Sequence, residues 1–322
     1  MSGSARVSFS GHESFPFRYT WLKKAVDAVA ADPRAFYAED AMVKLGVGKN
    51  MVSSIRHWGL VTGMLEEAPG RRGSRIRPLA PTELGRSLLL DEGWDPYLED
   101  PGTLWLLHWQ LVSRPERATT WWWVFNQYPG TIFTRADIQE ALETLGAQRG
   151  WTRMTSASLK RDVDVFIRTY APQRRRNAVL EDTLDCPLVE LGVIHASSQR
   201  QTLTLVRSGH ESLPDEVFAY ALAEYLKLRE GSAQTITLED LSFGEGAPGR
   251  GFCLDEPGLL GRLDRIEALT DGDVVFDETA GLKQVYVHRA PDPATLLCQY
   301  YESRSVVESR ERWTQARNRP AS

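Results

Sequence analysis

A histidine followed directly by a glutamate is the most reactive-looking pair near the start of the chain. His12 and Glu13 stand just before an aromatic-rich stretch, residues 15–21. A histidine can act as acid, base or metal ligand near neutral pH, and Arg18 close by is suited to binding a phosphate. His12 and Glu13 are therefore candidate catalytic residues. The same side chains can instead form a buried polar network that anchors the N-terminus, and the sequence leaves both interpretations open.

Two groups of carboxylates are candidate ligands for a divalent metal ion. Asp277 and Glu278 are expected in the turn of the last hairpin, and Asp277 is the third candidate catalytic residue. Asp95, Glu99 and Asp100 form a second acidic cluster. Carboxylates bind Mg²⁺, so Mg²⁺ is the expected cofactor, although the sequence does not assign its ligands. Turn chemistry explains the first group, and helix capping explains the second, without any metal.

Other cofactors are not indicated by the sequence. Its three cysteines, Cys186, Cys253 and Cys298, are too few and too scattered for a disulfide framework or a zinc site. It contains neither a Walker-type phosphate loop nor the Gly-Xaa-Ser-Xaa-Gly pattern of a serine hydrolase. We therefore expect no nucleotide, no haem and no iron–sulfur cluster.

Basic residues are concentrated in two segments, although the whole chain carries a net charge of −5. The first segment, 44–77, has seven basic and two acidic residues. Residues 36–46 and 51–58 are predicted as two short helices joined by a turn that contains glycine, which is the helix-turn-helix pattern. Two strands joined by an Arg-rich loop follow, as in the hairpin "wing" of a winged helix. The side chains expected to reach phosphates and base edges are Lys49, Asn50, Ser53, Arg56, Arg71, Arg72 and Arg75.

The second basic segment, 149–177, has eight basic and two acidic residues. Before it, a helix is expected to begin after Thr134 and to end at Gly146. Within it, the apolar spacing predicts a helix over 156–170. The polar side chains predicted on its exposed face are Ser158, Lys160, Arg161 and Arg168, of which Lys160 and Arg161 are the expected second DNA contact. Both basic segments are equally well explained as solvated surfaces, and the winged module as a protein-binding one.

The length and the order of patterns predict an α+β, mostly α fold of tandem winged-helix-like modules. The chain has 322 residues, a length that suits about two domains, and its patterns divide it into three modules. Residues 1–98 are expected to form an N-terminal winged-helix-like DNA-binding domain. Residues 99–212 are expected to hold a Trp-rich helical part and a second winged-helix-like module, and 213–322 a C-terminal helical or winged-helix-like module. Five of the ten tryptophans lie between Trp105 and Trp123, at helical spacing that favours a core.

The sequence shows neither a membrane-spanning nor a secretory pattern. No apolar run is long enough for a transmembrane helix. The first residues lack the apolar stretch of a secretory signal. We therefore expect a cytoplasmic protein with no membrane partner.

Several long sequence blocks resemble the SspB-like family of the bacterial Ssp DNA phosphorothioation systems. They extend from residue 9 to about residue 286, nearly the whole chain. The clearest are 9–19 (FSGHESFPFRY), 45–52 (LGVGKNMV), 94–101 (WDPYLEDP), 103–109 (TLWLLHW), 158–163 (SLKRDV), 213–221 (LPDEVFAYA) and 277–282 (DETAGL). Because these blocks are long and unusual, the resemblance is specific at the level of the family.

The resemblance implies a part in antiphage defence, in a system that replaces a non-bridging phosphate oxygen of DNA with sulfur. Members of the family are described as nickases that open one strand for sulfur insertion. The implied activity is thus a metal-dependent DNA nicking endonuclease, and the implied partners are double-stranded DNA and sulfur-transfer enzymes. The alternative is a non-catalytic DNA-binding adaptor or regulator that recruits the sulfur-transfer enzyme. A homodimer through the C-terminal hairpin is a further expectation.

Overall fold

The protein is α+β and mainly helical, as the sequence predicts. The computed structural model describes residues 7–69, 76–151, 154–171, 186–197, 201–229 and 235–304. Within them, helices are interspersed with three small antiparallel sheets. The chain divides into two compact units, Met1–Ser208 with Arg250–Cys253 and Gly209–Gly249 with Leu254–Ser322. The predicted boundary at 212/213 lies close to this division, whereas the one at 98/99 falls inside the first unit and stays a prediction.

The first unit begins with helices that bury a shared apolar face. Helix α1 packs against α3 and α4, and Trp21, Leu22, Ile55 and Trp58 lie in its core. In chain order its described elements are α1 (Tyr19–Ala31), a 3₁₀ turn (Ala35–Tyr37), α2 (Ala41–Leu45), α3 (Lys49–Val61), β1 (Leu65–Glu67), β2 (Leu79–Pro81), α4 (Glu83–Leu89), α5 (Pro101–Val112), α6 (Thr119–Asn126), β3 (Ile132–Phe133), α7 (Arg135–Arg149), α8 (Ser156–Tyr170), a second 3₁₀ turn (Pro187–Leu191), β4 (Ile194–Ala196) and β5 (Leu203–Leu205).

Two helix bounds near the first basic segment differ from the sequence prediction. The single helix expected over 36–46 is a 3₁₀ turn followed by α2, which ends at Gly46 as predicted. Gly46 has a φ of +65°, a conformation that glycine adopts without strain. Helix α3 starts at Lys49 instead of residue 51, because Gly48 has the extended backbone of an N-cap. Lys49 and Asn50 are therefore first-turn residues and not part of the turn.

The expected hairpin is formed by β1 and β2, which pair antiparallel with Leu65 opposite Pro81. Its loop carries the predicted contacts Arg71, Arg72 and Arg75, which lie outside the described residues. After the hairpin, the Thr82 hydroxyl accepts a hydrogen bond from the Gly85 backbone N–H at 2.9 Å. Thr82 is thus the N-cap of α4, and α4 lies directly against the turn before β1.

The tryptophan cluster forms the middle of the first unit. Helix α5 is buried from Gly102 to Val112, and α6 is buried along its whole length. A helix that is buried on every side belongs to a core, so the prediction of a core for this cluster is confirmed. Although α5 is strongly apolar, no helix in the described part of the chain is long and apolar enough to cross a membrane.

Helices α7 and α8 pack against each other and are followed by strands β4 and β5, which form a sheet with β3 in the order β3-β5-β4. Thr134 caps α7 as expected, but the helix continues past Gly146 to Arg149 and ends at Gly150, whose φ is +66°. At Gly146 the missing side chain leaves room for the Met154 methyl group, which a Cβ there would meet at 2.3 Å. Helix α8 has the predicted bounds. Ser158, predicted on its exposed face, is buried instead, because its hydroxyl completes the N-terminal capping box.

The second unit combines helices with one three-stranded sheet. Its described elements are α9 (Asp215–Leu228), β6 (Thr235–Thr237), α10 (Leu238–Phe243), the start of α11 (Pro248–Gly251), α12 (Glu256–Leu269), β7 (Val274–Thr279), β8 (Leu282–Val287) and α13 (293–304). The strands lie in the order β6-β8-β7, all antiparallel. Asp277 and Glu278 belong to β7, where they pair with Gln284 and Lys283 of β8. The prediction that they occupy the hairpin turn is therefore wrong.

The contact between α4 and the Met64 carbonyl yields a stability prediction. A Cβ on Gly85 would meet the Met64 carbonyl oxygen at 2.1 Å, and a backbone atom cannot move aside locally. We expect Gly85→Ala to lower the free energy of unfolding by about 2 kcal/mol, measured by urea denaturation. Gly261→Ala in α12 is the control, because the nearest atom to its new Cβ is the end of the Arg265 side chain at 3.7 Å. It should raise stability by about 0.5–1 kcal/mol through helix propensity.

Candidate nucleic-acid interface

Helix α3 presents polar side chains on the face opposite its buried one. Lys49, Asn50 and Ser53 are exposed, while the buried residues of the helix include Val52, Ile55 and Trp58. Positions three and four apart share one side of an α-helix. The predicted contacts on this helix are therefore brought together on one open surface, and the apolar residues fix its orientation against α1.

Arg56, the fourth predicted contact on α3, is only partly exposed. Its guanidinium lies 5.6 Å from the centre of the Tyr37 ring, and its Nε is buried without a hydrogen-bond partner among the described residues. A cation held over an aromatic ring is restricted in its conformations. Arg56 is thus less free than Lys49 to adjust to a ligand.

Helix α8 carries the second predicted contact. Lys160 and Arg161 are exposed on the helix surface, whereas Leu159, Val163 and Phe166 are fully buried. The third basic side chain in this helix, Arg168, is half-buried and donates a hydrogen bond to the Ser14 carbonyl at 2.9 Å. The exposed positive charge that the structure describes on α8 is therefore concentrated in its first half.

His12 is buried and held by a carboxylate from α8. The residue is 1% exposed, and its Nε2 lies 2.8 Å from Asp162 Oδ1. The same carboxylate accepts a hydrogen bond from the Ser10 backbone N–H at 2.8 Å and another from the Thr120 hydroxyl. This geometry is the buried polar network that the sequence offered as the alternative to catalysis.

The segment 8–15 connects three helices through its backbone. The Ser54 hydroxyl of α3 donates to the His12 carbonyl at 3.0 Å, and the Trp58 indole N–H donates to the Phe15 carbonyl at 2.9 Å. At the other end, the Ser8 N–H donates to the Thr119 hydroxyl oxygen of α6 at 2.8 Å. With Asp162 on α8, these bonds position α3 relative to α6 and α8.

A second imidazole lies beside the first. The rings of His57 and His12 are 5.6 Å apart and nearly perpendicular. Burial lowers the pKa of His57 to about 3, and the neighbouring His12 ring lowers it further in smaller measure. His57 is therefore neutral at physiological pH. Gly11 makes this packing feasible, since a Cβ there would come within 2.3 Å of His57 Nδ1.

Glu13 and Arg18 are partly exposed. Glu13 has a φ of +56°, which few residues other than glycine adopt. Such backbone strain is often retained at functional sites. The Arg18 guanidinium lies 5.6 Å from the centre of the Trp21 ring. The catalytic role of Glu13 and the phosphate role of Arg18 stay predictions.

The candidate catalytic residues are divided between the two units. His12 and Glu13 belong to the first, and Asp277 to the second. Asp277 is exposed and accepts a hydrogen bond from the Thr279 hydroxyl at 2.7 Å. Its catalytic role stays a prediction, and neither unit holds the whole set.

Two residues of the acidic cluster before α5 accept backbone hydrogen bonds. Asp95 accepts hydrogen bonds from the backbone N–H groups of Glu99 and Asp100, at 2.9 and 3.0 Å. Asp100 in turn caps α5 through the Gly102 N–H at 2.7 Å. Within the described ranges, no three histidine, cysteine, aspartate or glutamate side chains come together as a metal site. Mg²⁺ as a cofactor stays a prediction.

Sequence reasoning missed the role of Asp162. In the charge pattern this residue is only one of the two acidic residues within the second basic segment. One signal was available: an acidic residue at a position of α8 that shares its buried face with Leu159 and Phe166. A carboxylate on an apolar face needs a partner. That partner, His12, lies 150 positions away along the chain, beyond the reach of local patterns.

Comparisons with known proteins establish the family. A sequence-family profile described as "Protein of unknown function (DUF4007)" matches residues 9–301. The structure is similar to a magnesium ion-bound SspB crystal structure, with a TM-score of 0.84, 34% identity, and coverage of 92% of this chain and 89% of that chain. The chain belongs to the SspB-like family. A second SspB crystal structure is similar to the same extent, at 33% identity and a TM-score of 0.84. No curated protein sequence matches the chain.

The network around Asp162 gives a second stability prediction. Asp162→Asn removes the charge that His12, Ser10 and Thr120 share, and we expect the free energy of unfolding to fall by about 3 kcal/mol. Asp164→Asn is the matched control, because Asp164 lies on the same helix in a partly exposed pair with Arg135. It should cost less than about 1 kcal/mol. Equal losses in the two variants, measured by chemical denaturation, would contradict the role assigned to Asp162.

Proposed function

We propose that this protein is a DNA-binding component of a bacterial DNA phosphorothioation system. Its membership of the SspB-like family supports the assignment to such a system. The observation that carries DNA binding is the exposed face of α3, where Lys49, Asn50 and Ser53 lie together opposite a fully buried apolar face. Lysine binds phosphates, and asparagine and serine can also hydrogen-bond base edges.

The order of elements around α3 supports a winged-helix mode of binding. Helices α1, α2 and α3 are followed by the hairpin β1–β2, which is the order of a winged-helix domain. In that mode α3 enters the major groove and the hairpin loop, with Arg71, Arg72 and Arg75, contacts the flanking backbone. Lys160 and Arg161 on α8 supply a second phosphate contact. The net charge of −5 does not oppose this mode, because local patches determine the field that DNA meets.

The activity we propose within that system is nicking of one DNA strand before sulfur is inserted. The candidate reacting side chain is Glu13, which is partly exposed and follows the buried His12 in a strained backbone conformation. In this proposal His12 is a positioning residue, since Asp162 occupies its Nε2. Asp277 stays a candidate from the second unit.

A second candidate function is a non-catalytic adaptor that binds DNA and recruits the sulfur-transfer enzyme. Two observations favour it: buried His12 is held at its Nε2 by Asp162, and the carboxylates of Asp95 and Asp100 accept backbone hydrogen bonds. Both functions predict the same DNA surface. They differ in whether a strand is cut, and in whether the sulfur-transfer enzyme is retained on DNA by this protein. A homodimer is compatible with either.

DNA affinity tests the proposed surface. A variant with Lys49, Lys160 and Arg161 each changed to alanine should bind a 24-base-pair duplex about 30-fold more weakly, because phosphate contacts are lost. The slope of log K against log[salt] should become shallower by about 2 to 3, since each contact contributes about 0.9. Fluorescence anisotropy at several salt concentrations measures both quantities.

The matched control removes the same charge from the second unit. Lys227, Lys283 and Arg289 are paired with carboxylates in the structure and lie on its surface. Their triple alanine variant should retain both the affinity and the salt slope. If the two triple variants lose affinity equally, net charge and not this surface governs binding. If neither loses any, α3 and α8 are not the DNA contacts.

Relaxation of supercoiled plasmid distinguishes the nickase from the adaptor. A nickase converts the plasmid to open circles in Mg²⁺, and we expect Glu13→Gln to slow this at least tenfold while leaving plasmid binding unchanged. Incubation in EDTA tests the expected metal dependence, and Glu140→Gln, an exposed substitution on α7, is the control. Binding without open circles, with the purified sulfur-transfer enzyme retained on the plasmid, identifies the adaptor. Absence of plasmid binding contradicts both functions.

A further inference from the structure

A cleft in the first unit has no role in the function described so far. It lies between the C-terminal turns of α7 and the start of α8 and has a volume of about 440 Å³. The cleft is shallow and widely open to solvent, so a ligand bound there keeps one side exposed. Its lining includes Glu143, Gly146, Gly150, Trp151, Met154 and Ser156.

The aromatic wall of the cleft is the indole of Trp151. This side chain is partly exposed, and the Phe9 ring packs on it with 5.5 Å between ring centres. The Arg149 guanidinium lies 5.9 Å from the indole centre. Phe9 and Arg149 therefore hold the indole in place while part of its surface still faces the cleft. A fixed aromatic face with a nearby cation is suited to stacking a flat ring.

The polar wall of the cleft is a carboxylate with one oxygen still available. Glu143 Oε1 accepts hydrogen bonds from the Ser156 hydroxyl at 2.7 Å and from the Gln139 amide at 3.1 Å. Its Oε2 has no hydrogen-bond partner among the described residues. The hydrogen bonds from Ser156 and Gln139 lower the pKa of Glu143, so the group is ionised at neutral pH. The cleft thus offers a fixed acceptor for an N–H donor.

The surroundings of the cleft are cationic. Arg149 is exposed at the end of α7. On α8, Lys160 and Arg161 follow Ser156 by four and five residues, which is about 6 to 8 Å along a helix. The exposed Glu140 of α7 adds negative charge on the same helix. A carboxylate in the cleft does not suit a phosphate there, but it does suit a nucleotide whose base enters while its phosphates reach the basic side chains outside.

We propose that this cleft binds one unpaired nucleobase that carries an exocyclic amino group, as part of the DNA-binding function. The base stacks on Trp151, and its amino group donates to Glu143 Oε2, the pairing that acidic side chains make with the N4 amino group of cytosine. Flanking phosphates contact Arg149, Lys160 and Arg161. The inference rests on the proposed function and deepens it: duplex DNA is bound on α3 and α8, and a nucleotide that leaves the stack is captured between α7 and α8.

Three duplexes test the proposal: a fully paired 24-mer, the same duplex with one extra central dC, and the same with one extra central dT. The wild-type protein should bind the dC bulge about tenfold more tightly than the paired duplex, as expected for one stacked and hydrogen-bonded base. The dT bulge should gain less, because thymine has no amino group. Trp151→Leu should remove the advantage of both bulges, and Glu143→Gln only the preference for dC over dT.

Affinity for the paired duplex separates this proposal from the proposed function. Trp151→Leu and Glu143→Gln should leave it unchanged, and so should Glu140→Gln, the control at an exposed residue of α7 that does not line the cleft. If all three duplexes bind the wild type equally, or if both cleft variants keep the dC advantage, base capture is wrong and DNA binding stands. Equal binding of all three duplexes is also expected if the cleft instead binds a side chain of a protein partner. If the wild type binds none of the duplexes, the proposed function fails as well.

Discussion

The carboxylate of Asp162 is the group on which the arrangement of the first unit depends. An ionised carboxylate away from water is costly unless it is fully hydrogen-bonded, and here three groups bind it: His12, the Ser10 N–H and the Thr120 hydroxyl. Ser10 and His12 belong to the N-terminal segment, and Thr120 belongs to α6. Because the carboxylate requires all of them, it fixes the N-terminal segment against α6 and α8, and that segment in turn fixes α3 through Ser54 and Trp58.

The local structure of this protein is well predicted from its sequence. The caps at Thr82 and Thr134, the bounds of α8, the β7–β8 hairpin and the buried tryptophans all follow from short-range patterns. The errors arise where packing decides between two local options. The pattern predicts that α7 ends at Gly146, whereas the helix continues past Gly146, where the Met154 methyl group packs, and ends at Gly150. Such contacts form only after folding, so no pattern within the helix reveals them.

The candidate site was less predictable than the fold. Sequence blocks identified the family, and helical spacing identified the exposed face of α3. Neither could show that His12 is buried, since its partner is 150 positions away. The cleft beside Trp151 was also missed, because it depends on how two consecutive helices meet. Residue types near each other in the sequence indicate what chemistry is available, but only the folded chain shows which of their atoms are already occupied.

The separation between His12 and Asp162 has a consequence for biosynthesis. The N-terminal segment leaves the ribosome long before the helix that holds it has been made. At about 5 to 20 residues per second, the ribosome needs roughly 8 to 30 s to add the intervening residues. During that interval the segment has no carboxylate to bind, and α3 lacks the bracing that the segment provides. The nascent chain therefore completes the positioning of α3 late, when most of the first unit has already emerged.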